Sequence, residues 1–261
     1  MKAFLLLALL PMAALAEPPK EIPVEAPKYA AVNGAVAVPL SQDNAYLRNP
    51  ANPAADYWGL ASFYIPQRNN ASCSSASAAM ALNALLNAGR RRGDAEENIT
   101  EAALVEKVAG VKWKELASEP GFEGRHGLTV AQLAAGSREA LAAYGGAGFT
   151  VTEVQVGTAS AAALESFRRA LSGGERNPND VTLLHFSQSA LTGAPGGTYP
   201  HISPVGAYDE KNRRVLIFDV DRQWYEPYWA ADTLVFRAMA VKTKAFGHGG
   251  YVILRRNAVR P

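Results

Sequence analysis

Much of what announces a function at first sight is missing from this chain. It holds one cysteine, Cys73, in 261 residues, so an internal disulfide framework and a cysteine-rich zinc or iron–sulfur site are both excluded. Charge of one sign is scarce as well: 26 basic and 24 acidic residues leave +2, and the longest basic run is Arg90-Arg91-Arg92. Nucleic-acid binding, which needs a basic footprint, is set aside on that ground. Only four histidines are present, and no close cluster of histidines or carboxylates accompanies the cysteine, so no metal or other cofactor is expected.

The only long apolar run is at the start. Lys2, the run Ala3 to Leu10, Pro11 and the small-residue ending Ala14-Leu15-Ala16 form a basic region, an apolar region and a cleavage-like site. The run is too short to span a bilayer, for which about 20 residues are needed. Residues 1–16 therefore read as a signal peptide, and the mature protein is expected to be periplasmic or secreted and off the membrane. Residues 17–56 carry Pro18, Pro19, Pro23, Pro27, Pro39, Pro50 and Pro53 with little periodicity, which suggests an extended arm over the surface. Compact structure, 57–261, is expected from Tyr57 onward.

Within that part, the first half has helical spacing. Ser72 to Leu86 reads as a helix capped by Asn70 or Ser72 and closed by Gly89, with Ala76, Ala79, Met80, Asn83 and Leu86 along one face. Further helices are expected over Thr100 to Val108, after Thr129 with a Thr129/Gln132 capping box, and over Ser160 to Leu171, stopped by Gly173-Gly174. The second half changes to period two, with strand candidates Phe149–Val156, Val181–Phe186, Ile202–Tyr208, Val215–Val220 and Tyr251–Leu254. Helices first and strands later imply an α+β fold.

Cys73 falls in the first turn of its helix, where unpaired N–H groups and the helix dipole favour a thiolate. A buried small hydrophobe is the plain alternative, but Asn69, Asn70, Ser72, Ser74 and Ser75 make the surroundings polar. A nucleophilic thiol needs a base and a group that orients the base. A hairpin between Ile202–Tyr208 and Val215–Val220 puts His201 opposite residue 220, give or take about one, which makes Asp219 its neighbour. Asp219 lies in an apolar run where an unpartnered carboxylate would be expensive, and a histidine resolves that cost. Gln67, six residues before Cys73, is placed to complete an oxyanion hole with the Cys73 N–H.

The order Gln67, Cys73, His201, Asp219 follows that of papain-like enzymes. More narrowly, three segments resemble the phytochelatin synthase family: Gln67-x5-Cys73-x2-Ala76-Ser77-x2-Met80, His201-Ile202-Ser203-Pro204-Val205-Gly206, and Phe218-Asp219-Val220-x-Arg222-x2-Tyr225. The resemblance implies a papain-like two-lobed fold, a helical lobe carrying the cysteine and an antiparallel sheet lobe carrying the histidine and aspartate. It implies cleavage of the Cys-Gly bond of glutathione, or of a metal–glutathione complex, through a thioester on Cys73. Water or the amine of a second glutathione would then accept the acyl group. The chain lacks the cysteine-rich C-terminal region of longer members, so hydrolysis is expected to outweigh phytochelatin synthesis.

The same resemblance places His185, Gln188 and Arg222 on the substrate side. Ser74 stands where the family has glycine, His185 where bacterial relatives have asparagine, and Gln188 and Gly249 where arginines are expected. Lost arginines would weaken carboxylate binding by about 1.5 to 3 kcal/mol per charge-assisted hydrogen bond. Two further readings remain open: an exported papain-like amidase acting on another peptide, and a non-catalytic module that holds a thiol peptide or metal complex. Trp58, Tyr64, Trp224, Tyr225, Tyr228 and Trp229 offer surface for a homodimer contact, although their main expected use is the core or the cleft wall.

Overall fold

The computed structural model describes residues 28–257 apart from 89, 146, 147 and 196. The signal-peptide region and residues 17–27 lie outside the described residues, as does Gly89. Among the described residues, no helix is long and apolar enough to cross a membrane.

The elements in chain order are β1 (Val38–Pro39), α1 (Ala45–Arg48), α2 (Ala55–Ala61), α3 (Cys73–Asn87), α4 (Glu101–Lys107), α5 (Trp113–Leu116), α6 (Val130–Gly145), β2 (Phe149–Gln155), α7 (Ala161–Glu175), β3 (Asp180–Ser187), α8 (Gln188–Thr192), β4 (Pro200–Asp209), β5 (Arg214–Ile217), β6 (Tyr228–Ala231), α9 (Asp232–Ala240), β7 (Lys242–Thr243), β8 (Gly247–His248) and β9 (Gly250–Arg256). Seven strands form one sheet in the order β1-β6-β5-β4-β3-β9-β2, and every pairing is antiparallel. The fold is therefore α+β with a large antiparallel sheet, and the five strand candidates all appear.

Strand alternation divides the sheet into two buried faces. Val181 and Leu183 of β3, with Val252 and Leu254 of β9, join α3, α4 and α6 in one core. Leu184 and Phe186, with Tyr251, join α7 and α9 in a second core on the opposite face. Central β3 is buried along its whole length because it has a core on each side.

α3 differs from the one-faced helix that the spacing suggested, since every residue from Cys73 to Leu85 is buried. Its alanines and serines let neighbours approach from all sides, and its polar groups are bonded internally. Ser77 Oγ donates to the Ile202 carbonyl of β4 at 2.9 Å, and the Asn83 amide both donates to and accepts from the Ile99 backbone at 2.9 Å. α6 opens on the expected capping box, with Gln132 N–H on Thr129 Oγ1 at 3.2 Å and Thr129 N–H on Gln132 Oε1 at 3.1 Å.

α7 does not stop at Gly173-Gly174. Gly174 packs where an added Cβ would lie 3.3 Å from Asp180 Oδ1, and the next residue anchors the helix end. The Glu175 carboxylate accepts from Tyr46 Oη at 2.8 Å, Ala54 N–H at 2.9 Å and Tyr208 N–H at 2.5 Å. Close packing and these three bonds outweigh the helix cost of two glycines, about 1 kcal/mol each.

Compact structure also begins before Tyr57. β1 pairs with β6 through Val38–Trp229 and Pro39–Tyr228, and proline is tolerated because β1 lies at the sheet edge. Ala37, Ala54 and Asp56 are buried, and Tyr46 packs edge-on against Trp229 at 5.5 Å. Residues 28–56 are thus built into the sheet edge and not merely laid over it. Of the aromatic residues singled out above, Tyr225, Tyr228 and Trp229 are buried, while Trp58 and Trp224 are about half exposed at 56% and 50%.

Asp56 carries a testable cost. Burial, followed by the charges of Asp180 and Glu175, pushes its carboxyl well above the ordinary 3.8. A raised folded value means stability is lost as pH rises from 3.8 toward that value. Asp56→Asn should therefore raise Tm at neutral pH and bring no such gain below pH 3.8, where the aspartate is protonated in both states. Thermal unfolding of both proteins across that range checks this, and an equal gain at every pH would contradict it.

Candidate active site

The site is assembled from α3, β4 and the segment after β5. Cys73 is the first residue of α3 and is 6% exposed. Ser72 is the cap residue by position but contributes no side-chain cap; its Oγ instead accepts from Arg68 N–H at 2.9 Å and Asn69 N–H at 3.2 Å, in the preceding loop. The expected Ser72 or Asn70 cap is therefore absent among the described residues. That end of a 15-residue helix is electropositive.

The Ser77–Ile202 bond ties α3 to β4 one turn after Cys73 and one residue after His201. It brings the thiol beside the imidazole. His201 is 8% exposed, and its Nε2 lies 2.9 Å from Asp219 Oδ1 and 3.0 Å from Ser203 Oγ. With Nε2 so occupied, Nδ1 is the ring nitrogen left for the thiol. Burial works against a charged imidazole here, but the charge and hydrogen bond of Asp219, and then Cys73, outweigh it and hold His201 well above 6.5.

Asp219 has no solvent exposure. The expected hairpin register is close but shifted: Asp209 faces Arg214 and Tyr208 faces Val215, and a bulge between Val205 and Ala207 moves the pairing by one to Val205–Ile217. β5 then ends at Ile217, short of the expected Val220, because Phe218 N–H turns to the Pro204 carbonyl at 2.9 Å and Asp219 faces inward. Asp219 Oδ1 also accepts from Asp221 N–H at 2.8 Å, and Tyr64 Oη donates to the Asp219 carbonyl at 3.0 Å.

Gln67 is brought alongside this segment by its backbone, with N–H on the Val220 carbonyl at 2.8 Å. Its Oε1 is buried without a hydrogen-bond partner among the described residues. Its side chain makes no hydrogen bond to Cys73.

The substrate-side candidates have separate fates. His185 is buried beside Phe246, with ring centroids 5.8 Å apart, and burial lowers its pKa to about 4, so it is neutral; its Nδ1 has no partner among the described residues. It lies close enough to His201 for the two to repel as cations. Gln188 is buried and occupied, its Nε2 on Tyr228 Oη at 3.1 Å. Arg222 is exposed and forms no ion pair among the described residues. Ser74, where glycine was expected, accepts from Trp113 Nε1 at 2.9 Å and anchors α5. Gly249 has no room for a side chain, since an added Cβ would come within 2.1 Å of the His185 carbonyl oxygen.

Three neighbours escaped the sequence patterns. Ser203 had a usable signal, being two residues from His201 on one strand and so on the same face. Asp221 and Glu101 had none. Asp221 is half-buried next to His201 and Asp219, and Glu101 looked like an ordinary acidic start to a helix although it is 2% exposed. A cleft of about 620 Å³ lies away from the thiol, lined by Tyr46, Asn52, Glu175, Arg176, Lys211 and neighbouring residues.

Fold and site together define an α+β protein in which a buried cysteine, histidine and aspartate converge. The chain belongs to the phytochelatin synthase family, whose members are cysteine-dependent acyltransferases; the family model described as "Phytochelatin synthase" matches residues 35–251. The chain is 32% identical over 91 residues to a glutathione gamma-glutamylcysteinyltransferase of Schizosaccharomyces pombe, covering 34% of this chain and 21% of that protein. It is 40% identical over 57 residues to glutathione gamma-glutamylcysteinyltransferase 3 of Lotus japonicus, covering 22% of this chain and 12% of that protein. These matches thus span about a fifth and an eighth of the relatives' lengths.

The elevated His201 predicts a definite pH response. The stabilisation from its pairing with Asp219 is complete below 6.5 and is lost as pH rises through the higher folded value. Asp219→Asn should abolish that loss and, by lowering His201, slow iodoacetamide alkylation of Cys73 near pH 6.5 by about tenfold or more, one pKa unit being a factor of ten. Alkylation rates that match wild type would show that Asp219 does not charge the imidazole.

Proposed function

We propose that this protein cleaves the Cys-Gly bond of glutathione through a thioester on Cys73. The observation that carries the reading is the convergence of Cys73, His201 and Asp219 in a member of this family. The Cys73 thiolate attacks the cysteinyl carbonyl, and the C–N bond to glycine breaks. The His201 imidazolium gives its proton to the departing amine, leaving a γ-glutamylcysteinyl thioester. Asp219 holds the imidazole in orientation and favours its charged form. Gln67 and the Cys73 N–H stabilise the tetrahedral oxyanion.

His201 next takes a proton from water, which attacks the thioester and releases γ-glutamylcysteine and the Cys73 thiol. If the amine of a second glutathione attacks instead, the product is a phytochelatin. Hydrolysis is proposed to dominate, because Gln188 is fixed on Tyr228 and Gly249 has no side chain, where the resemblance implies cations for the carboxylates of glutathione. His185, neutral and with a free ring nitrogen, is proposed to hydrogen-bond substrate, and Arg222 to meet it from the surface. Metal–glutathione complexes are included as substrates, with a role in metal or thiol detoxification.

The arrangement is proposed to be the papain-like one, α3 with its neighbouring helices forming one lobe and the sheet the other. Residues 1–16 are proposed to direct export to the periplasm or beyond. The same two positions favour, as a second reading, an amidase acting on a peptide with fewer charged ends.

Incubation with glutathione followed by mass spectrometry should reveal a γ-glutamylcysteinyl adduct on Cys73 and free glycine. Cys73→Ala should lose the adduct and at least about 10³-fold of glycine release, the scale for removing a nucleophile. Glycine release that survives Cys73→Ala would overturn the mechanism, and adduct formation only with other peptides would favour the amidase.

A further inference from the structure

The loop between Gln67 and Cys73 is held by a carboxylate outside the constellation described above. Glu101, the first residue of α4, is 2% exposed and reaches both ends of the loop. Its Oε1 accepts from Arg68 N–H at 3.1 Å, directly after Gln67. Its Oε2 accepts from Ser75 Oγ at 2.7 Å, two residues after Cys73, and lies 3.4 Å from the Arg68 guanidinium Nε. A buried carboxylate is retained only when it is paired and bonded in this way.

The other contacts of the loop give this bridge its meaning. On its far side, Gln67 N–H is hooked to Val220, one residue past Asp219. Between these points, Ser72 Oγ gathers Arg68 and Asn69 N–H, and Asn69 Oδ1 accepts Ala71 N–H at 2.8 Å. None of these contacts involves His201. The loop is therefore fixed independently of the thiol's base, and Glu101 reaches from the residue beside Gln67 past Cys73 to Ser75 in the first turn of α3. Catalytic donors placed even about 1 Å off lose most of their effect, so such a bridge bears directly on rate.

We propose that Glu101 is a positioning residue that sets the Gln67–Cys73 spacing and thereby the oxyanion hole. This rests on the acyl-transfer reading of the site. It acts through the loop and not on the thiol, which separates it from Asp219.

The test compares wild type, Glu101→Ala and Glu101→Gln in the full chain. Glu101→Ala should lower kcat for glycine release from glutathione by about 10²-fold, the scale of a lost oxyanion donor, with KM little changed. Glu101→Gln, which keeps one acceptor oxygen, should fall between the two. Iodoacetamide alkylation of Cys73, which forms no oxyanion, should keep its wild-type rate and pH profile. Amide exchange at Arg68 and Asn69 should accelerate in Glu101→Ala while α6 and β3 keep their protection. Adding Gln67→Ala to Glu101→Ala should cost little beyond Gln67→Ala alone.

Unchanged kcat, alkylation that slows in proportion to kcat, unmoved Arg68 exchange or fully additive losses would each overturn the proposal. A wild-type protein that releases no glycine sinks the glutathione reading alone, and the exchange comparison still decides whether Glu101 sets the loop.

Discussion

A carboxylate with no contact with solvent is the constraint around which this molecule is organised. Asp219 would be costly inside an apolar strand end without a paired and hydrogen-bonded partner. Oδ1 is met twice, by His201 from β4 and by the Asp221 N–H from the turn that follows, while Oδ2 is buried without a partner among the described residues; the backbone carbonyls of Asp219 and Val220 take Tyr64 Oη and Gln67 N–H from the segment before α3. The buried charge thus fixes the histidine and the turn, and the backbone beside it anchors the loop before α3. The charge that makes Asp219 expensive is also what holds His201 ready to carry a proton.

The thiol reaches this arrangement through small side chains. α3 is enclosed on all sides, which alanine and serine permit and longer residues would not. Its serines divide the polar work: Ser72 serves the loop, Ser74 serves Trp113, Ser75 serves Glu101 and Ser77 serves Ile202. Each hydroxyl docks a different neighbour, so the helix start is located in three dimensions before any substrate arrives. Such preorganisation is what electrostatic catalysis requires, since donors that must move into place lose their advantage.

Much of this was visible in the residue pattern, for physical reasons that differ from element to element. Period-two runs identified the strands because one sheet buries alternate residues in two cores. The Thr129/Gln132 box was legible because it is a local bond between residues three apart. His201 and Asp219 were matched although the turn shifted the register, because the bulge between Val205 and Ala207 took back one residue of the shift and an aspartate side chain spans the rest.

Where the pattern failed, contacts distant in sequence decided the outcome. Gly173-Gly174 should have ended α7, but Glu175 is held by Tyr46, Ala54 and Tyr208. Residues 28–56 looked loose, yet the edge of β6 captured Val38 and Pro39. Glu101 could not be singled out, since its role depends on where Arg68 and Ser75 arrive. The role assigned to Ser72 as a cap failed because the hydroxyl found two donors in the loop behind it.

Gly249 has a consequence for how this chain can change. The His185 carbonyl lies 2.1 Å and the Met239 carbonyl 2.9 Å from where a Cβ would stand. A single codon change that introduces a long cation there would push β3 away from the start of β9 before the new charge could meet a ligand. A side chain at that corner is thus tied to the path of two strands and the end of α9, and introducing one would require substitutions that first open the backbone.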